Sequence, residues 1–180
     1  EPYRRQRQMC IRDRYHDVFT SGIHYVDFLF DIRHIGEEDL PYVGILKAVL
    51  GYVDTEHYGY ADLSNEINLH TGGINNSILI TADTKDVDNY SLKFEVRTKF
   101  LADKAATTIG LVKEILCTSS LEDDRRLYEI IAESKSRLQM SIGGMGHSIS
   151  AMRAMSYFSK TAKINDLTNG ISLYLSLIHI

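Results

Sequence analysis

The chain has little of several things, and each shortage excludes something. Its 180 residues hold two cysteines, so a disulfide scaffold is ruled out. Two prolines and twelve glycines rule out collagen-like and proline-rich architectures. No apolar run approaches the roughly 18–20 residues that a membrane span requires. No charge of one sign dominates: 20 Lys and Arg stand against 24 Asp and Glu, a formal net charge of −4. A chain-wide basic footprint for nucleic acid is therefore lacking. With 44% hydrophobic and 24% charged residues, the composition is that of one ordinary globular domain with a real core.

The charge is unevenly placed. Arg4, Arg5, Arg7, Arg12 and Arg14 against Glu1 and Asp13 give the first 14 residues +3, leaving −7 for the rest. No apolar h-region follows this basic start, so it does not read as a secretory signal. Residues 5–14, RQRQMCIRDR, follow neither a 3.6 nor a 2.0 apolar period. They resemble the translation of a sequencing-adaptor remnant, and LYLSLIHI at 173–180 resembles the same kind of artefact. Residues 1–15 and 173–180 are accordingly set aside, and 16–172 are read as the native body, with Cys117 its one cysteine. A lone thiol on an apolar helix reads as a small core residue.

Within the body, Gly22 to Asp31 reads as a strand buried on much of both faces. Glu37, Glu38 and Asp39 before Pro41 suit a helix start. Leu40, Val43, Leu46 and Leu50 then repeat at helical spacing, with Gly51 at the stop. Tyr60 to His70 predicts a second helix, ended by Thr71-Gly72-Gly73. Ile74 to Ala82 predicts a strand. From Tyr90 to Phe100 apolar and polar residues alternate strictly, which predicts a strand with one core face and one wet face. The short link between these two predicts an antiparallel hairpin. Asp103 suits the cap of a helix to about Thr118, with Ile109, Val112, Ile115 and Leu116 inward. Ser119 and Glu122 suit a capping box for a long helix whose stripe runs from Leu127 to Met152. Gly143, Gly144 and Gly146 predict a break in it. Asn165 to Gly170 reads as a last short helix. The order predicts α+β architecture: helices on one face of an antiparallel or mixed sheet.

Candidate chemistry is sparse. His34-Ile-Gly-Glu37-Glu38 stands one residue from the inverted zinc-peptidase motif H-x-x-E-H. That motif needs two histidines one helical turn apart on one zinc and a glutamate as general base. Here Glu38 replaces the second histidine and Gly36 breaks the helix, so a polar loop is the plainer reading. His16, His24, His34, His57, His70 and His147 show no i, i+4 pair and read as scattered. The glycines of Gly143-Gly144-Met145-Gly146-His147-Ser148 match no phosphate-loop pattern and read as close helix packing. Met145, Met152 and Met155 read as core.

Three longer stretches carry a resemblance. GIHYVDFLFDIRHIGEEDLPYVGILKAVLGYVDTEHYGYADLSNEINLHTGGI, SLKFEVRTKFLADKA and SRLQMSIGGMGHSISAMRAMSYFSKTAKINDLTNG resemble the insulinase-like (pitrilysin) zinc metallopeptidases. More narrowly, they resemble the presequence-protease branch, at the start of its C-terminal half. The resemblance implies an insulinase or mitochondrial-processing-peptidase-like domain, cut short before its last strands. It implies four such domains in two halves that close around a chamber for unfolded peptides. Only the first domain of such enzymes carries the zinc and H-x-x-E-H. Laid over this chain, the motif falls on Gly44-Ile45-Leu46-Lys47-Ala48, so both histidines and the glutamate are replaced. The arginine and tyrosine of such enzymes belong to the last domain, so no catalytic or metal-ligating residue is carried over.

On this resemblance the chain alone is inactive. It is a non-catalytic domain fragment that walls the chamber, and zinc sits only in the catalytic domain of the parent enzyme. Its partners are the catalytic N-terminal half of the same parent chain and unfolded peptide, with no nucleic acid and no membrane. The sequence does not assign a compartment; a bacterial cytoplasm is favoured over an organelle matrix. Two other readings follow from the residues: a stand-alone peptide-binding module using an open strand edge, and an independent metal hydrolase using His34, Glu37 and His57. A domain lacking its last strands should also expose an apolar sheet face or edge.

Overall fold

The computed structural model describes residues 19–83, 85–86 and 89–178. The reading of residues 1–15 as foreign sequence lies outside the described residues, as does His16.

The element order follows from the sequence pattern. Strand β1 (Ile23–Asp31) leads through a 3-10 turn at Glu37–Asp39 into helix α1 (Leu40–Val49) and then α2 (Tyr60–His70). Strands β2 (Ile74–Ala82) and β3 (Tyr90–Leu101) follow. Helices α3 (Ala105–Thr118), α4 (Asp124–Gly144), α5 (Gly146–Met155), α6 (Lys160–Asn169) and α7 (Ile171–Ile178) complete the described residues. Pro41 sits in the first turn of α1, where its missing N–H costs nothing. Gly51, at φ +89°, turns the chain out of α1 in a conformation that side chains disfavour.

The sheet is antiparallel throughout, in the order β1-β3-β2. β3 takes the centre, paired with β1 along one border and with β2 along the other. Leu92, Phe94, Val96, Thr98 and Phe100 are buried on the helix side. Of these, Leu92, Phe94 and Val96 form one core with Leu40, Val43, Leu63, Leu111, Val112, Ile115 and Ile164. Leu63 and Val96 are wholly buried; burying a leucine contributes about 2–3 kcal/mol. The other face carries Lys93, Arg97 and Lys99. Glu95 breaks the wet pattern, being buried on that face. The Ser77 hydroxyl donates to it at 2.5 Å from β2, and Arg97 donates at 2.9 Å while also bonding Asp27 of β1 at 2.9 Å. All three strands are thus tied by one ionic cluster on the open face.

Several expectations need correction. β1 is not buried on both faces: it is a border strand with Tyr25, Leu29 and Phe30 exposed. Its aromatic run looks like a central strand, but among the described residues only β3 pairs with it. In α3 the buried stripe is Thr108, Leu111, Val112 and Ile115, and Ile109 is exposed, one position out of phase with it. Asp103 caps nothing; it lies in the 3-10 turn Ala102–Lys104 that precedes α3. The cap of α4 is Asp123, whose carboxylate accepts from Arg126 N at 3.0 Å, whereas Ser119 bonds back to the Ile115 carbonyl. The long stripe does break at Met145, between α4 and α5. There a Cβ on Gly143, Gly144 or Gly146 would touch nothing, so these glycines end and restart helices rather than letting helices pack closely. Met145, Met155 and Cys117 are exposed rather than core. Residues 173–178, set aside by sequence, lie in α7, which buries Leu173 and Leu177.

Candidate functional site

The helix laid over the zinc motif is α1. Gly44 is buried against α6; a Cβ there would stand 2.9 Å from the Thr168 carbonyl oxygen and 3.3 Å from Leu173 Cδ1. Lys47 lies one turn on. Its ammonium donates to the Thr168 carbonyl at 3.2 Å and to the Asn169 side-chain oxygen. These acceptors end α6, so the cation also meets the negative end of that helix. Burial pushes the Lys47 ammonium down from its ordinary value. Gly44 and Ala48 have no ligating atom and Lys47 carries positive charge, so the set does not fit a zinc ion.

The other candidates do not converge. His34 is exposed in the turn after β1, and His34-Ile-Gly-Glu37-Glu38 lies in a turn and a 3-10 segment, not on a helix. Glu37 pairs with Lys163 of α6 at 2.6 Å. His57 pairs with Glu114 of α3 at 3.1 Å. The structure therefore does not bring His34, Glu37 and His57 together as one metal site. His24 stacks on Phe100, and His70 approaches Glu66 at 3.4 Å. His147 lies exposed in the first turn of α5. No group of three or more His, Cys, Asp or Glu is placed to hold a metal among the described residues.

Two carboxylates are held unusually acidic. Burial pushes the Glu114 carboxyl up, but the backbone N–H and ring of His57, with Thr55 and Thr118, outweigh it and hold it at about 2. Hydrogen bonds from the Arg33 side chain and backbone hold Asp31 at about 2. Below its ordinary value of 4.5, unfolded Glu114 takes up a proton while folded Glu114 does not. Its contribution is present above that value and disappears as the pH falls toward 2. Urea midpoints measured from pH 7 to 2.5 should therefore drop below about pH 4.5, and Glu114→Gln should drop less steeply. Parallel curves would exclude this role.

Open surface lies beside the sheet. The outer border of β1 is unpaired among the described residues. A groove of about 690 Å³ opens next to it, walled by Phe28, Phe30, Val43, Leu46, Ile109 and Leu116. Its wall is mostly apolar and is made by one border of the sheet with α1 and α3. The border of β2 away from β3 is likewise unpaired among the described residues. None of their helices is long and apolar enough to cross a membrane.

Comparison with known proteins agrees with this geometry. Residues 5–179 match the sequence model of the family described as peptidase M16-C associated. Protein HypA of Clostridium perfringens is 35% identical over 166 residues, covering 92% of this chain and 17% of that protein. Presequence protease 1, chloroplastic/mitochondrial, of Arabidopsis thaliana is 29% identical, covering 91% and 15%. The mitochondrial presequence protease of Yarrowia lipolytica is 26% identical, covering 85% and 16%. The chain thus spans about a sixth of the length of these relatives. The insulinase-like resemblance, in its presequence-protease branch, holds over nearly the whole chain. With residues 5–179 matched by that sequence model, the chain belongs to the peptidase M16-C associated family.

Proposed function

We propose that the chain is a non-catalytic part of a presequence-protease-like zinc metalloendopeptidase, and that it forms part of the wall of a chamber for unfolded peptides. The observation that carries this is α1: in a chain matched by the family over residues 5–179, the helix offers Gly44, Lys47 and Ala48 instead of ligands. Zinc and its ligands would then reside in another domain of the parent chain. The catalytic half would be the partner, and unfolded peptide the substrate. The uncovered groove beside β1 is consistent with a piece that normally packs against more protein.

The test is zinc content and cleavage of a long unstructured peptide by the purified chain. The expected result is no zinc and no cleavage, with cleavage restored only when the catalytic half is supplied. One zinc per chain with chelator-sensitive cleavage would overturn the proposal. The unpaired borders of β1 and β2 favour a second reading, a peptide-binding module without peptidase activity. Saturable binding of the same peptide to the chain, with no gain when the catalytic half is added, would select it.

A further inference from the structure

A polar cavity of about 310 Å³ lies where α1, α4 and the start of β2 meet, away from the apolar groove. Its wall includes three cations, Lys47, Arg126 and Arg137, and one acid, Glu133. The cations come from two helices: Arg126 and Arg137 lie about three turns apart on one face of α4, and Lys47 comes from α1.

Their existing partners leave charge over. Arg137 donates to Glu133 at 2.6 Å, an exposed pair one helical turn apart, which contributes little. Arg126 donates to the Tyr52 carbonyl at 2.9 Å and to Glu129 at 3.3 Å, and its guanidinium lies 4.1 Å over the Tyr60 ring. Glu129 is shared with Arg125. Lys47 has only neutral acceptors, the Thr168 carbonyl and the Asn169 amide, and no carboxylate. An ammonium carries three donors, so one remains. The Asn75 amide and the Ser134 hydroxyl, on the same wall, make no hydrogen bond to the described residues. The cavity therefore holds more cations than acids and two unused donors, beside one buried acceptor without a partner among the described residues, Asn76 Oδ1, in a space at the small end of ligand sites.

We propose that this cavity binds a compact oxyanion, a carboxylate or phosphate group held among Lys47, Arg126 and Arg137 with Asn75 and Ser134 as further donors. An oxyanion supplies several acceptor lone pairs at once, and charge-assisted bonds to it are stronger than neutral ones. The lowered pKa of Lys47 fits this, since a seated anion would restore the ammonium that burial disfavours. The volume admits a group the size of pyrophosphate or a peptide's terminal residue but not a polymer.

The test is calorimetric titration of the full-length protein with two probes: inorganic pyrophosphate, and a short acidic peptide with a free C-terminus beside its C-terminal amide. Saturable one-to-one binding of either probe is expected. A free phosphate ligand is indicated if pyrophosphate alone binds, and a peptide carboxylate if the free acid binds and the amide does not. Lys47 also holds α1 to α6, so the variants are the exposed Arg137→Gln and Asn75→Ala, with thermal melting as the check on folding. Arg137→Gln should weaken the bound probe about tenfold, the loss of one charge-assisted bond. Raising the salt concentration should weaken wild-type binding further. Absence of saturable binding by both probes, or unchanged affinity in both variants, would overturn the proposal.

Discussion

Replacing Asp166 with alanine should lower stability by about 3 kcal/mol, or roughly 10 °C in melting temperature. Asp166 is almost wholly buried in α6, yet its carboxylate is fully engaged. It accepts from Arg153 Nη1 at 2.5 Å, from the Ser172 hydroxyl at 2.6 Å and from Ile171 N at 3.0 Å. One side chain thus joins α5, α6 and α7. The Ile171 bond satisfies an N–H of the first turn of α7 that has no partner within that helix. Its loss should fray α7 and uncover Leu173 and Leu177. Arg153 is partly exposed and can turn to water, which keeps the cost at the lower end for a broken buried pair. Asp166→Asn keeps one oxygen for Ile171 N but puts an amide NH2 where Ser172 and Arg153 donate, so it should cost less than Asp166→Ala without restoring the wild-type stability. A double-mutant cycle with Arg153→Ala isolates the ionic part. A change below about 0.5 kcal/mol in Asp166→Ala would show that the cluster does not hold these helices together.

The triple variant Gly44→His, Lys47→Glu, Ala48→His writes H-x-x-E-H into α1. It should bind no zinc and should lose about 5 kcal/mol or fail to fold. The argument is steric and electrostatic. A bare Cβ at position 44 already stands 2.9 Å from the Thr168 oxygen, so an imidazole must wedge α1 from α6. Overpacking of this kind costs about 1–3 kcal/mol. A glutamate at position 47 would set its carboxylate against the Thr168 carbonyl and the Asn169 oxygen, acceptor against acceptor, where Lys47 donates to both. Leaving those groups unsatisfied costs about 1–3 kcal/mol more. The sites touch one another, so the costs need not add. Gly44→His alone should account for much of the loss. Melting temperature and a zinc-indicator competition read the two outcomes separately. A folded triple variant with tight, stoichiometric zinc would show that α1 is a dormant metal helix rather than one rebuilt for packing.

Much of the fold is legible in the sequence, and the reasons differ by element. The pattern places β2 and α2 to the residue, and β3 to within one, because strict alternation and glycine stops are local signals. The break at Met145 is legible because three glycines interrupt one stripe. What the pattern misses depends on distant partners. Nothing in GIHYVDFLFD says that, among the described residues, this strand has a neighbour on one side only. Ile109 and Leu111 are equally apolar, and the choice between them is made by the sheet that α3 meets. Glu95 sits in the polar half of an alternation, but Ser77 and Arg97 bury it. α7 escapes the reading because its residues resemble foreign sequence. At the candidate site, the loss of ligands at Gly44, Lys47 and Ala48 is readable. The hold of Lys47 on α6 is not, since Thr168 and Asn169 lie more than a hundred positions away. The polar cavity is likewise invisible, because α4 and β2 meet only in three dimensions.

The order β1-β3-β2 also sets a schedule. β2 and β3 are joined by a short link and can zip from Ala82 and Tyr90 outward, a local event with little chain to close. β1 must instead find β3 across two helices and a strand, pairing Ile23 with Leu101. Contacts of such long sequence separation form late, so the hairpin is the natural nucleus and β1 the latecomer. The groove that β1 helps to wall is then the last surface to take shape. Any neighbour that settles there arrives after the rest of the core has committed, and it would act as a latch on the slowest strand rather than as a template for the fold.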